Sequence, residues 1–371
     1  MNSLDPEVAA KWVTNSNDAT IIRLFSGEDT MTIEKYLDKK HDKKELGKLE
    51  SDVDIVEFNP DFTYTIYGDL ERIFGYKNLE ISVNISSGSL KTYLQIDYDS
   101  KIDDLEHTSN VVIKSDEVEA PIKNFLSDDL IPSRLEFAAQ VSDDTINFRP
   151  IGKKVFEYTL ENESHSKYII YESDFTDSNF VSFHKRLQAF VMFYIEGGQY
   201  IDDTDKKWTV YTFQFLILPP FQQFGHGSNL YNYIREAAAA NPQVYDLTVE
   251  DPNESFDDMR DKNDLRFLIK SGNINLLKEI KPLRSLKEEM GKLKFSTKQL
   301  TRIFELGHLY HLKSKSTESE DMRNYRVCVK KRIFKQNYDI LISLSDAERK
   351  DKLKDTFNNV YQDYLRILSL V

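Results

Sequence analysis

The sequence predicts an α+β protein with a β-rich first part, a mixed centre and a helical last part. Within residues 54–99, apolar and polar residues alternate with a period of two, which is typical of half-buried strands. In the centre, an apolar and aromatic stretch at 208–218 precedes a helical pattern at 229–240. From residue 271 onward, apolar residues recur mainly at helical spacing.

Composition narrows the class of protein. With 371 residues, 40% of them hydrophobic, the chain can bury two or three compact cores. A formal net charge of −13 argues against wrapping nucleic acid and is compatible with a basic partner. Cys328 is the only cysteine, so we expect no disulfide framework, no cysteine-built zinc site and a reducing compartment. We find neither a secretory signal nor an apolar run of about 20 residues, so no membrane is expected.

The β-rich part is predicted to contain strands at 55–58, 62–67 and 93–98. Turn-forming residues separate them at 59–60, Asn-Pro, and at 86–89, Ser-Ser-Gly-Ser. These segments together predict a small sheet in the first third of the chain.

The centre reads as helix, strand, turn, helix and strand. A helix is predicted after Asp177, with an apolar face that ends before the glycine pair at 197–198. The strand at 208–218 ends at two prolines, and a second strand is predicted at 244–250.

The last part contains two signals for helix starts. Ser296 with Gln299, and Ser345 with Glu348, have the spacing of capping boxes before apolar helical patterns. The polar segment 313–321 between them is predicted to be a loop.

The turn between the central strand and helix, residues 222–227, has the pattern of an anion site. Gly225 and Gly227 allow positive φ and let an anion approach backbone N–H groups at the positive end of a helix dipole. The turn is neither a dinucleotide fingerprint nor a Walker loop. We therefore expect a phosphate or diphosphate ligand, the alternative being a purely structural turn in which His226 simply packs or faces solvent.

Gln222-x-x-Gly225-x-Gly227 after an apolar strand resembles the acetyl-CoA motif of the GCN-related N-acetyltransferase superfamily. The strings FLILPPFQQFGHGS at 215–228 and LTVEDPNE at 247–254 closely resemble one member family, the catalytic subunit of the type B histone acetyltransferase. Further segments resemble the same family, at 58–63, 67–69, 74–77, 195–196, 200–202 and from 325 onward.

The resemblance implies the fold of that superfamily, a mixed central sheet flanked by helices, at residues 156–270. It places a histone-binding domain at 1–155 before it and a helical domain at 271–371 after it. It also implies acetyl-CoA as co-substrate, with no metal. The residues that it assigns to the cofactor are Phe215, Leu216, Ile217, Gln222, Gln223, Phe224, Gly225, His226, Gly227, Ser228 and Asn253.

Carboxylates are the candidates for activating a lysine amine, whose unperturbed pKa is about 10.4. Glu250 ends a predicted strand next to Asp251, and we predict that it is the general base. The resemblance adds Glu196 and Asp251 as assisting residues. It also places Asp69 and Glu71 where the family binds its basic peptide, although both could be ordinary turn carboxylates.

The resemblance implies further partners and a location. We expect the substrate to be the tail of newly made, free histone of the fourth core type and the partner to be a WD-repeat histone chaperone. The expected location is both nucleus and cytoplasm. Two alternatives stay open: a catalytically impaired histone-binding scaffold that keeps the fold, and an acetyltransferase for small amines or protein N-termini.

The chain departs from the family at 208–218. Related sequences have two strands before the cofactor strand, but here eleven residues run without Gly, Pro, Asn or Asp, so no turn can be placed. We therefore expect one central strand and its loop to be missing. Either the sequence lacks a stretch that the natural protein has, which we favour, or this form is catalytically impaired.

Overall fold

The computed structural model describes most of the chain. The described residues are 10–38, 53–104, 113–160, 163–197, 215–249, 251–313, 315–316 and 318–371. The chain divides into two compact units, Met1–Phe224 and Gly225–Val371. Helices and a mixed sheet are both present, so the predicted α+β class is confirmed. The division into three domains stays a prediction.

The first unit contains strands and helices, and the second is helical. The strands are β1 (Val13–Asn15), β2 (Thr20–Ser26), β3 (Asp54–Phe58), β4 (Arg72–Phe74), β5 (Tyr76–Lys77), β6 (Glu80–Ser86), β7 (Thr92–Asp97), β8 (Ser100–Lys101), β9 (Lys153–Leu160) and β10 (Glu163–Glu172). The helices of the first unit are α1 (Ser16–Ala19), α2 (Thr30–Asp38), α3 (Tyr64–Tyr67), α4 (Glu119–Phe125), α5 (Arg134–Asn147) and α6 (Ser178–Tyr194). The second unit has α7 (His226–Ala240), α8 (Glu254–Lys270), α9 (Leu283–Met290), α10 (Thr297–Leu312), α11 (Glu320–Gln336), α12 (Tyr338–Ile342) and α13 (Asp346–Ser369).

A four-stranded mixed sheet with the order β3-β2-β6-β7 forms the centre of the first unit. Ile22 of β2 lies opposite Phe58 of antiparallel β3 and opposite Val83 of parallel β6. Strand β6 is buried along almost its whole length, as expected for an inner strand covered on both faces. The strands predicted at 55–58 and 93–98 are confirmed as β3 and β7.

The prediction of a strand at 62–67 is wrong, because the short helix α3 forms there instead. Thr63 precedes the helix, and its hydroxyl lies 2.6 Å from that of Ser16. The carboxylate of Glu71 accepts hydrogen bonds from the backbone N–H groups of Thr63, at 2.8 Å, and Tyr64, at 3.1 Å. Amides bound to a side chain cannot join a strand ladder, so the chain turns here.

Helices cover both faces of the sheet. On one face, Ile22 packs in a cluster with Phe193 of α6. On the other face, Phe25 meets Phe137 of α5 edge to face, with ring centroids 5.4 Å apart. Helix α6 begins after its N-cap Asp177, which confirms the helix predicted from that residue.

Strands β9 and β10 form an antiparallel hairpin that pairs with no other strand in the described part of the chain. Its apolar side chains remain accessible, with Phe156 39% and Ile169 40% exposed. A two-stranded hairpin is marginally stable by itself, and its edges carry unpaired backbone groups. Within the described residues, this hairpin therefore lacks the third strand that a stable sheet requires.

The described residues of the two strands predicted in the centre do not form regular strands, and residues 208–214 and Glu250 lie outside the described part of the chain. Of 208–218, only 215–218 is described, and its backbone is irregular. Of 244–249, only Leu247 pairs, through an isolated parallel bridge to Phe295. A β-prone segment needs a hydrogen-bonded neighbour to become a strand, and the described residues provide a continuous ladder for neither segment.

The second unit packs around α10, which contacts residues of α8, α9, α11 and α13 in one apolar cluster. Both predicted helix starts are confirmed. Ser296 caps α10 by accepting from the N–H of Gln299, and Ser345 with Glu348 forms a reciprocal capping box at α13. None of the helices in the described residues has the length and apolar character to cross a membrane.

Gly307 lies where α10 packs against Leu277 and Ile274. A Cβ at position 307 would overlap the Leu277 side chain and come within 3.2 Å of Ile274 Cδ1. We expect Gly307→Ala to lower the free energy of unfolding by about 1–3 kcal/mol, because overpacking outweighs the better helix propensity of alanine. Gly291→Ala is the control, since a Cβ there meets nothing within 4 Å. Equal hydrogen exchange of the α10 amides in both variants would contradict tight packing at Gly307.

Candidate active site

The chain before α7 makes a turn whose first half is held by its own backbone. Pro219 begins a 3-10 turn in which the N–H of Phe221 donates to the carbonyl of Leu218 at 2.9 Å. Gln222 Nε2 donates to the carbonyl of Ile217 at 2.8 Å. The Gln222 side chain thus stabilises the approach to the predicted anion site.

Two residues in the second half of the turn have a left-handed backbone. Gln223 has φ 67° and Gly225 has φ 104°. Positive φ is uncommon for a residue other than glycine, and strained residues cluster at ligand-binding sites. Gly225 is the N-cap of α7 and supplies no side-chain cap. The helix therefore begins without an N-cap side chain, at the end of a helix that attracts anions.

Side chains of the second unit hold the start of α7 in place. Asn263 Nδ2 of α8 donates to Ser228 Oγ at 2.9 Å, and Asn232 Nδ2 donates to Asn263 Oδ1 at 3.1 Å. Asn229 donates to the Gly225 carbonyl from its backbone and from its side chain, both at 3.1 Å. Asn263 is not predicted from the sequence, because nothing in a helical pattern distinguishes an inward-facing asparagine from a solvated one.

A buried carboxylate ties α7 to α8 and α10. Asp264 is fully buried and accepts hydrogen bonds from Tyr231 Oη at 2.9 Å and from Gln299 Nε2 at 2.8 Å. Burial raises the pKa of Asp264 to about 7, because desolvation disfavours the charged form. One turn earlier, Asp261 is also buried and forms an ion pair with Arg302.

Asp264 should make the second unit less stable as the pH rises. Its pKa is about 7 in the folded chain and about 3.9 in an unfolded one, so between these values only the folded state binds the proton. Its stabilising contribution is therefore largest at low pH and is lost as the pH rises through about 7. Asp264→Asn imitates the protonated acid, and we expect it to lose less stability than wild type between about pH 5.5 and pH 8. Urea unfolding followed by circular dichroism measures the free energy of unfolding of both proteins at each pH. If the free energies of wild type and Asp264→Asn changed in parallel with pH, the prediction would be contradicted.

The predicted base and its neighbours come at the start of α8. Glu250 lies outside the described residues. Asp251 is exposed and has a left-handed backbone, with φ 39°. Asn253 is the N-cap of α8, where its Oδ1 accepts from the N–H of Phe256 at 2.8 Å. The cap explains Asn253 structurally, and its contact with a cofactor stays a prediction.

The acidic candidates of the first unit have different surroundings. Glu196 is exposed just beyond the end of α6, and Asp69 is exposed in the turn after α3. Glu71 accepts from two backbone amides at Thr63 and Tyr64, and from Asn17 Nδ2 at 3.0 Å. The carboxylate of Glu71 thus stabilises the local backbone through these hydrogen bonds. Peptide binding by Asp69 and Glu71 stays a prediction.

The three apolar residues assigned to the cofactor arm precede the prolines. Phe215, Leu216 and Ile217 are half-buried, and the Leu216 side chain packs on the main cluster of the first unit. Leu216 makes no backbone hydrogen bond to another described residue. Its backbone can therefore pair with an extended ligand by strand addition. Phe224 is 53% exposed. No group of three or more metal-ligating side chains is found among the residues that the structure describes.

Comparison with known proteins decides the family. The family model described as "Histone acetyl transferase HAT1 N-terminus" matches residues 12–196. The histone acetyltransferase type B catalytic subunit of Cryptococcus neoformans var. neoformans is 30% identical, over 98% of this chain and 99% of its own length. The chain belongs to the type B histone acetyltransferase catalytic subunit family. The resemblance found in the sequence is thereby confirmed.

Other members of the type B family agree. The catalytic subunit of Kluyveromyces lactis is 32% identical over 85% of this chain and 88% of its own. That of Yarrowia lipolytica is 28% identical over 98% and 94%. Membership in this family makes the chain an acyltransferase.

This type B chain is shorter than its relatives inside the aligned region. Against the Cryptococcus subunit, 98% of 371 residues is about 364, whereas the alignment has 432 positions, so about 68 positions face a gap in this chain. Against the Yarrowia subunit the alignment has 445 positions at the same coverage, so about 81 face a gap. Residues are therefore absent internally relative to both relatives. A missing strand at 208–218 stays a prediction.

Proposed function

We propose that this protein transfers the acetyl group of acetyl-CoA to lysines in the N-terminal tail of free, newly synthesised histone of the fourth core type. Family membership supports the reaction class. In the chain itself, the main observation that supports the proposal is the turn before α7. Its left-handed Gln223 and Gly225 precede the positive end of α7, which has no N-cap side chain, and this arrangement suits a diphosphate better than a merely structural connection.

The proposed coenzyme site uses the turn and the segment before it. Gln222, Gln223, Phe224, Gly225, His226, Gly227 and Ser228 would hold the diphosphate, and Asn263 would position Ser228. Phe215, Leu216 and Ile217 would pair with the pantetheine arm, which is supported by the backbone of Leu216, since it makes no hydrogen bond to another described residue. When bound, the coenzyme supplies a thioester carbonyl to the attacking amine.

Glu250 is proposed to accept the proton of the lysine ammonium, with Glu196 and Asp251 assisting or orienting the amine. The neutral amine would then attack the thioester carbonyl carbon directly, without an acyl-enzyme. A C–N bond would form as the C–S bond breaks, and coenzyme A would leave as its thiol after taking up the proton that the amine nitrogen loses. The surroundings of Cys328 support this, because burial raises the pKa of its thiol. A nucleophilic cysteine needs a lowered pKa instead.

Gly225→Ala tests the turn. A Cβ in the left-handed region costs about 1–2 kcal/mol, so the variant should distort the turn and weaken coenzyme A binding about tenfold. Gly272→Ala is the matched control, because Gly272 has φ 75° with open space around it and lies outside the proposed site. Calorimetric titration with coenzyme A of the natural protein and of its two variants measures the affinities. Equal affinities in the two variants, or no binding by the folded wild type, would contradict the proposed site.

We further propose that residues 156–270 have the GCN-related N-acetyltransferase fold and that this sequence lacks one central strand. Within the described residues, the β9–β10 hairpin pairs with no third strand, 215–218 is irregular and 244–249 forms one bridge at Leu247, which is what the loss of such a strand would leave. Mass spectrometry of the protein from its natural source tests this. We expect a mass clearly above the 43.4 kDa of this sequence, and a match to 43.4 kDa would contradict a lost stretch.

A catalytically impaired histone-binding scaffold is the second candidate, and the same missing strand favours it. Transfer of radiolabelled acetyl groups to a histone tail peptide by the natural protein separates the two. Binding of the peptide without transfer, at a mass of 43.4 kDa, would favour the scaffold. In either case we propose a WD-repeat histone chaperone as partner, and nucleus and cytoplasm as location, on the strength of the family resemblance.

A further inference from the structure

The second unit carries a surface groove of about 630 Å³ that only its own residues line. We call it the basic groove. The buried side chains of Met290, Phe295 and Leu300 form its floor. Lys287 of α9 and Lys294 of the following turn lie at its wall. The groove thus combines an apolar floor with positive charge on a chain whose net charge is −13.

The two lysines of the basic groove are not neutralised. Lys287 Nζ lies 5.0 Å from the ring centre of Tyr245 and 3.3 Å from Thr297 Oγ1. Neither Lys287 nor Lys294 forms an ion pair with any residue that the structure describes. Arg284 and Glu288 also line the groove, but they neutralise each other in an exposed ion pair at 3.3 Å.

Lys294 is held in an unusual backbone conformation at this wall. Its φ is 58°, its carbonyl accepts from the N–H of Leu247 at 2.7 Å, and its own N–H donates to the Gly291 carbonyl at 3.2 Å. A left-handed residue other than glycine persists where its surroundings impose it, and such residues cluster at binding sites. The conformation positions a charged side chain beside the apolar floor.

The aromatic ring of Tyr245 completes the site. Its side chain is 77% exposed although it borders the groove. Exposed tyrosines next to apolar surface are typical of protein interfaces, because they add contact area at little entropic cost. The floor side chains contain no hydrogen-bonding group that could recognise a nucleobase. These features favour a peptide over a nucleotide.

We propose that the basic groove binds an acidic peptide segment of a partner protein. One apolar side chain of the segment enters the groove over Phe295 and Leu300. Carboxylates on either side of it contact Lys287 and Lys294. Charge complementarity of this kind selects the partner and speeds the encounter, and it weakens with added salt.

Fluorescence anisotropy tests the charges, with a short fluorescein-labelled peptide of glutamates around a central Leu-Phe pair as the probe. We expect Lys287→Glu, and Lys294→Asn, which tolerates the left-handed backbone, each to weaken binding on the order of tenfold. Lys352→Glu, an exposed lysine on α13, is the control and should bind like wild type. No binding by wild type, or equal losses in all three variants, would overturn the proposal.

A steric variant tests the location. A side chain at Gly291 would meet open space at the groove, and the residue has a helical backbone that leucine adopts. We expect Gly291→Leu to abolish binding of the probe while the circular dichroism spectrum stays unchanged. Undiminished binding by Gly291→Leu, equal binding of a glutamate peptide without Leu-Phe, or displacement of the probe by ATP but not by unlabelled peptide would each overturn it.

Discussion

Replacing Glu250 with glutamine is expected to slow acetyl transfer by the natural protein about 10²–10⁴-fold, with coenzyme A affinity unchanged. The lysine substrate is protonated at neutral pH, since its pKa is about 10.4, and glutamine cannot accept the proton. The wild-type rate should level off once Glu250 is ionised. The rate of Glu250→Gln should instead keep rising with pH toward the pKa of the lysine itself.

The control for this result is Glu254→Gln, an exposed carboxylate in the first turn of α8. It removes the same charge four residues away and should leave the pH profile unchanged. Asp251→Asn and Glu196→Gln are expected to reduce the rate less than Glu250→Gln. A wild-type pH profile in Glu250→Gln would remove Glu250 from the mechanism. The measurement is radiolabelled acetyl transfer to a histone tail peptide over a range of pH.

Arg332→Ala is expected to destabilise the second unit by about 3–5 kcal/mol, because it strips a buried carboxylate of its partner. Glu305 of α10 is 1% exposed. It accepts from Arg332 Nε of α11 at 2.7 Å and Nη2 at 2.9 Å, and from Tyr364 Oη of α13 at 2.9 Å. Without Arg332, one hydroxyl remains to stabilise a buried negative charge among three helices.

Arg284→Ala is the matched control, because its pair with Glu288 is exposed on both sides and should contribute less than about 1 kcal/mol. Hydrogen exchange of the α10 and α11 amides measures the loss of stability in both variants. A loss for Arg332→Ala no larger than for Arg284→Ala would contradict the argument. Glu305→Leu combined with Arg332→Met should recover part of the stability.

Features that depend on residues close together in the chain were predicted correctly from the sequence. The capping residues Asp177, Ser296 and Ser345 mark helix starts in the structure as predicted. The turn at 222–228 was also recognisable, because glycine spacing and flanking prolines act over a few residues. The detailed conformation of this turn could not be predicted. Gln223 takes the left-handed conformation as well as Gly225, and α7 starts at His226 rather than at residue 229.

Contacts between distant residues could not be read in this way. Segment 62–67 has a strand pattern, yet the Glu71 carboxylate and Ser16 turn it into a helix start. Asn263 and Asp264 look like ordinary polar residues of a solvated helix, but they face inward and bind Ser228 and Tyr231.

The sequence by itself determined the α+β class, the helix starts at Asp177, Ser296 and Ser345, the family and the turn that we assign to the coenzyme. Only the tertiary structure decided which segments pair as strands, which polar side chains are buried, and where basic side chains gather around an apolar groove. The reason is the separation along the chain of the residues that interact. Capping, turns and periodicity depend on neighbours along the chain, whereas ladders and buried charges depend on partners that only folding brings together.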